Sequence, residues 1–179
     1  MGLFVSLLLS SCLLPPVTAP VADPFREPAC PWCPGNRGLT YDVAAGTAVR
    51  AAAAGTVTFS GLVAGTFYVV VEHGDGLRAT YGELAGSHLA AGDVVATGAT
   101  IGQSAGGLHF GLRRGDRYID PAPFLGRLVE RARLVPTDGS PARPAPPPRL
   151  ECPATPVLSA EIGPIGQVWA DRTGRLPVR

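Results

Sequence analysis

The sequence predicts a mainly β protein, a compact antiparallel β-sandwich with a groove, and three observations carry that prediction. Glycine and proline together account for 42 of 179 residues (Gly 23, Pro 19), a share that suits short strands and tight turns better than long helices. From residue 48 to residue 120, short apolar and β-branched runs alternate with turn signals at the spacing of an all-β domain. Between two of those runs stands Gly74-Asp75-Gly76, a hairpin signal because left-handed backbone angles cost glycine little.

Taken in order, residues 23–35 read as an extended lead-in, broken by proline and glycine. The β domain is placed at 36–125, with strands near 48–52, 55–62, 66–73, 76–82, 93–97, 107–114 and 117–120. In the third of these, Tyr68, Val70 and Glu72 alternate with Val69, Val71 and His73. It is apolar on most of both faces, which predicts a central strand. Residues 121–134 support one short helix, started by Pro121 and broken near Gly126, so that 126–135 are helix and connection. The stretch 136–149 is a proline-rich linker, and the tail 150–179 carries no usable period.

Charge narrows the function. Fifteen basic and fourteen acidic residues leave a net charge of +1, and charged residues make up only 16%. A phosphate-binding surface is excluded as the main driving force, and nucleic acid with it. Every basic residue is Arg, a coding bias without chemical meaning here.

Residues 3–15 form an apolar run too short to cross a bilayer, followed by the small, proline-bearing stretch to Ala22. Residues 1–22 therefore read as a secretory signal cleaved after Ala19 or Ala22, although a positively charged lead is missing. Leu9-Ser10-Ser11-Cys12 also fits a lipobox that would lipidate Cys12. Either reading sends the chain to the cell envelope or outside it, touching a membrane only through the signal or that lipid. In an oxidising compartment Cys30, Cys33 and Cys152 supply one bridge, within Cys30-Pro31-Trp32-Cys33 or from one of that pair to Cys152. No βαβ pattern supports a thioredoxin-type pair, and no second cysteine pair completes a zinc ribbon.

Four segments carry a resemblance. NRGLTYDVAAGTAVRAAAAGTVTFSG, VVVEHGDGLRATYGEL, LAAGDVVATGATIGQS and GLHFGLRRGDRYIDPAPFL follow one another between Asn36 and Leu125. Together they resemble the lysostaphin/LytM family of zinc endopeptidases, which cut peptide cross-bridges in bacterial cell walls. The resemblance covers about half the chain and implies a β-sandwich whose groove has one sheet as its floor.

The site it implies is depleted. The family's His-x-Gly-x-Asp, whose ends bind zinc, falls on Asn36-Arg37-Gly38-Leu39-Thr40. Its Tyr-x-His, which brings a catalytic histidine, falls on Tyr81-Gly82-Glu83. Its His-x-His, one catalytic histidine and the third ligand, falls on Gly107-Leu108-His109. Of the ligand positions Asn36, Thr40 and His109, only His109 is a competent ligand, and Glu83 and Gly107 occupy the catalytic positions. An amide and a hydroxyl are weak, uncharged donors, and without bound metal the water keeps its ordinary pKa and is no nucleophile. No cofactor and no catalytic residue is therefore expected.

One rescue is conceivable: Asp42 lies two residues past Thr40 on the same strand face, and with Glu83 and His109 would make a mixed carboxylate–imidazole zinc site. Other candidates have structural readings. His73 packs a strand end, His88 lies on a loop, Glu72 and Asp120 stabilise turns, and Arg113 and Arg114 sit at a solvated strand end. The expected function is an exported, inactive LytM-type domain that binds peptidoglycan peptides or regulates a cell-wall hydrolase. The alternatives are a residual zinc endopeptidase and a disulfide-stapled structural protein of the envelope.

Overall fold

A computed structural model describes residues 12–30, 32–130, 136–137, 140–141 and 143–153. Its strands are β1 (Val21–Asp23), β2 (Leu39–Tyr41), β3 (Ala48–Arg50), β4 (Gly55–Val63), β5 (Thr66–Glu72), β6 (Leu77–Gly86), β7 (Val94–Val95), β8 (Thr100–Arg114), β9 (Arg117–Ile119), β10 (Arg127–Val129) and β11 (Arg149–Glu151). Nine of them join one antiparallel sheet in the order β1-β2-β8-β6-β5-β4-β7, with β3 and β9 also on β8; β10 and β11 form a separate pair. Antiparallel β architecture is thus as expected, and β5 is interior to the sheet. The 15-residue β8 organises everything, because β2, β3, β6 and β9 all pair with it.

Alternation along β5, β6 and β8 sorts side chains onto two faces. Val69, Val71, Ala79, Tyr81, Leu108, Phe110 and Leu112 form one face, each essentially inaccessible to solvent. The Tyr81 and Phe110 rings meet at 5.3 Å between centroids, and the Tyr81 hydroxyl accepts the Ala52 N–H at 2.8 Å. The opposite face carries Tyr68, Val70, Glu72, Arg78, Thr80, Gly82, Gly107, His109, Gly111 and Arg113, buried to intermediate in exposure. That face is the groove floor.

The expected strands are found, with shifted ends, and four additional ones appear: β1, β2, β10 and β11. Part of the segment read as an export signal packs against the domain. Leu13 and Val17 are core residues, 4% and 5% exposed. Backbone hydrogen bonds tie Leu13 to Phe124 and Gly126, Leu14 to Ala52, and Pro16 to Arg50, while β1 pairs with β2. Cleavage after Ala19 or Ala22 would remove these contacts from the domain. Of the two cysteine readings, the bridge within Cys30-Pro31-Trp32-Cys33 is the one found, and Cys152 takes Cys12 as its partner. A Cys12 sulfur in a disulfide has no valence left for a lipid thioether.

Within 121–134 the described residues hold only a single 3-10 turn, Ala122–Phe124, in place of the expected helix; 131–135 lie outside the described residues. The reason is local packing. Gly126 donates its N–H to the Leu13 carbonyl at 2.9 Å, and a Cβ there would meet Cys12 Sγ at 2.5 Å and Leu150 at 2.7 Å. The chain is held extended into β10, which pairs Leu128 with Leu150. The described part of 136–148 has no regular structure, but Arg149 already belongs to β11.

Candidate functional site

One loop and three strands, β2, β6 and β8, bring the five sequence-derived positions to one end of the groove. In the β2–β8 pairing Thr40 stands opposite His109, and on the other side of β8 His109 stands opposite Gly82. Asn36 reaches this point because its amide Nδ2 lies 3.3 Å from Thr40 Oγ1. Glu83 arrives through an irregularity in β6, where the register shifts between Gly82 and Leu84. Its φ is +63°, a left-handed angle uncommon for a residue with a side chain. Gly107 completes the end: a Cβ placed on it would stand 2.5 Å from Glu83 Oε2. The Glu83 carboxylate occupies room that a side chain at 107 would need.

Asn36 has its orientation fixed by its neighbours. Its Oδ1 accepts the Gly38 N–H at 3.3 Å, so Nδ2 faces oxygens: the Asp23 carbonyl at 3.1 Å, Asp23 Oδ2 at 3.2 Å and Thr40 Oγ1 at 3.3 Å. An amide nitrogen has no lone pair to give a metal. The loop is tight because Gly38 lies directly against the Phe110 carbonyl, leaving no space for a Cβ. Asp23 is further held by a bidentate pairing with Arg26, the second contact being Arg26 Nη2 to Asp23 Oδ2 at 3.1 Å; hydrogen bonding from Arg26 lowers the Asp23 pKa. Sequence reading missed Asp23 and Arg26, and the only available signal was their i, i+3 spacing in a segment taken as lead-in.

His109 is partly buried, and burial lowers its pKa against an opposing pull from the negative Glu83. The zinc ligand set of the family does not fit here. Of three ligand positions one is an amide turned nitrogen-inward, one a neutral hydroxyl, and only His109 is a good donor. Among the described residues no three of His, Cys, Asp and Glu stand close enough to hold a metal. The rescue set of Asp42, Glu83 and His109 is therefore not assembled, and Asp42 is exposed beyond the end of β2.

The remaining candidates are placed elsewhere. His73 is 7% exposed and bonds through Nδ1 to the Ala54 carbonyl at 2.8 Å, with burial lowering its pKa. His88 is exposed on a loop. Arg78 Nε faces Glu72 at 3.3 Å, an ion pair without hydrogen-bond alignment. Asp120 accepts the Ala122 N–H at 2.9 Å and so does cap a turn. Arg113 pairs with Asp116 at 3.1 Å and lies 5.0 Å from the Tyr118 ring centre. Arg114, at the end of β8, is partly buried.

Residues 34–121 match Peptidase family M23. This domain belongs to that family. It is 32% identical over 121 residues to an uncharacterized protein of Mycobacterium tuberculosis, covering 60% of this chain and 48% of that one. It is 35% identical over 99 residues to EnvC of Escherichia coli, described as a murein hydrolase activator, covering 51% of this chain and 24% of EnvC. Among solved structures, Csd3 of Helicobacter pylori is similar with a TM-score of 0.57 and 28% identity, over 64% of this chain and 33% of Csd3. The chain thus spans about half the length of its mycobacterial relatives. The M23 match covers nearly all of the segment that carries the lysostaphin/LytM resemblance.

Proposed function

We propose that this chain is a non-catalytic M23 domain of the cell envelope that binds peptides of the wall in its groove and serves a cell-wall hydrolase rather than acting as one. The observation that carries the reading is Asn36, whose amide donates to Asp23 and Thr40 from the place where the family sets a zinc ligand. With Thr40 neutral and Gly107 and Glu83 in the catalytic positions, the residues lack the donors for the metal and the imidazoles for proton transfer. The groove itself is kept, with His109, Thr80, Gly111 and Tyr68 along its floor. Similarity to EnvC, a murein hydrolase activator, supports a role beside a hydrolase.

Two measurements test it. Metal analysis of the purified chain should give well under one zinc per molecule. Purified sacculi should retain the protein without chelator-sensitive release of peptide fragments. Stoichiometric zinc with chelator-sensitive cleavage overturns the reading.

A further inference from the structure

Beside the family site, and sharing Glu83 and Gly107 with it, lies a pocket of about 350 Å³ lined also by Leu62, Thr66, Phe67 and Leu84. Its chemistry is asymmetric. The stems of Leu62, Phe67 and Leu84 make an apolar wall, and Leu62 is 69% exposed. One carboxylate, that of Glu83, stands at the side of Gly107. The other carboxylates of this face each have a cation: Glu72 has Arg78 and Asp23 has Arg26. Among the described residues no Arg forms an ion pair with Glu83.

We propose that this pocket takes the cationic, alkyl-stemmed side chain of a wall peptide, the free amine of its diamino acid, with the ammonium on Glu83 and the methylenes against Leu62 and Phe67. The inference rests on the peptide-binding reading above and adds what the groove selects. A long amine side chain is apolar along its stem and charged at its tip, which is the pattern of the walls and the carboxylate here. The volume holds one such side chain and excludes a docked helix. Glu83 adopts a left-handed φ in mid-strand, a cost of about 1 kcal/mol or more that tends to persist where a side chain is needed in a fixed place. Gly107 contributes by absence, since any side chain there would displace the carboxylate.

The test uses the full chain and two probes, acetyl-Ala-Lys-Ala-amide and the same peptide with norleucine, which differ by the ammonium alone. NMR titration should show the lysine peptide binding about tenfold tighter, the scale of one charge-assisted hydrogen bond in a half-open pocket. In Glu83→Gln, which keeps the side-chain length and backbone angle, the two peptides should bind alike. With the wild type, added salt should erode the preference, a readout independent of any variant's folding. Sacculi whose amines have been acetylated should retain less protein than native sacculi. Equal affinity for the two peptides, or a preference that survives in Glu83→Gln, overturns the inference. If acetylation and Glu83→Gln leave sacculus retention unchanged, the amine pocket fails while the peptide-binding reading stands. If sacculi retain nothing, both fail. Capture by a lysine-bearing protein with no difference between native and acetylated sacculi also overturns it in favour of a protein ligand.

Discussion

Removing residues 12–22 tests whether the N-terminal segment is part of the domain. A chain beginning at Asp23 loses Leu13 and Val17 from the core, each almost fully buried. Their burial contributes about 1.5–3 kcal/mol apiece. It also loses the Cys12–Cys152 bridge, which spans 140 residues of sequence; on loop-closure entropy that bridge stabilises by about 5 kcal/mol. Four backbone hydrogen bonds to the rest of the domain go with them. The combined loss is about 8–11 kcal/mol, against a whole-domain stability of about 5–15 kcal/mol. The truncated chain is therefore expected to be unfolded or barely folded at room temperature. Urea unfolding followed by far-ultraviolet circular dichroism, compared with a chain beginning at Cys12, measures the difference. A Cys12→Ser, Cys152→Ser pair in the longer chain isolates the bridge. Equal midpoints for the chains starting at Cys12 and Asp23 would refute the reasoning and return the segment to the role of a removable signal.

Three further outcomes follow from the same contacts. Asn36→His with Thr40→Asp, Glu83→His and Gly107→His should restore stoichiometric zinc, since the imidazole and carboxylate introduced by the first two changes would join His109 in a three-ligand site; metal analysis that finds no zinc in the folded variant rejects the idea that the scaffold is intact. Glu83→His and Gly107→His must be combined, because Glu83 Oε2 occupies the place of a Cβ at 107. Tyr81→Phe should cost about 1–3 kcal/mol by leaving the buried Ala52 N–H unpaired; a urea midpoint equal to wild type contradicts this. Burial lowers the folded pKa of both His73 and His109 below the ordinary value of 6.5. Their contribution is complete above that value and is lost as pH falls from it through the folded pKa. Denaturation at about pH 8 and about pH 5 should show lower stability in acid, and less of a drop in His73→Gln.

By itself the sequence determined the class and the hairpins, and it named the residues that the family resemblance places at the site. These are local properties: alternation in β5, the Gly74-Asp75-Gly76 turn, and Asn36, Thr40, Glu83 and Gly107 at the positions where the resemblance places the family's histidines and aspartate. Glycine and proline punctuation marks strands because backbone angles are a nearest-neighbour matter. Tertiary structure alone decided the rest. That Cys12 pairs with Cys152 depends on bringing together residues 140 apart, for which no spacing rule exists. Leu13 and Val17 have the apolar character of an export signal and of a core alike, and only the tertiary structure shows them buried, beside the contacts to Phe124, Ala52 and Arg50. The strands β10 and β11 were hidden because each is stabilised by the other and by packing at Gly126, not by its own propensity. The turning of the Asn36 amide was likewise invisible, since it follows from Asp23 across a strand pairing and from the Gly38 N–H. Residue identity told which donors were missing; only packing told where the remaining ones point.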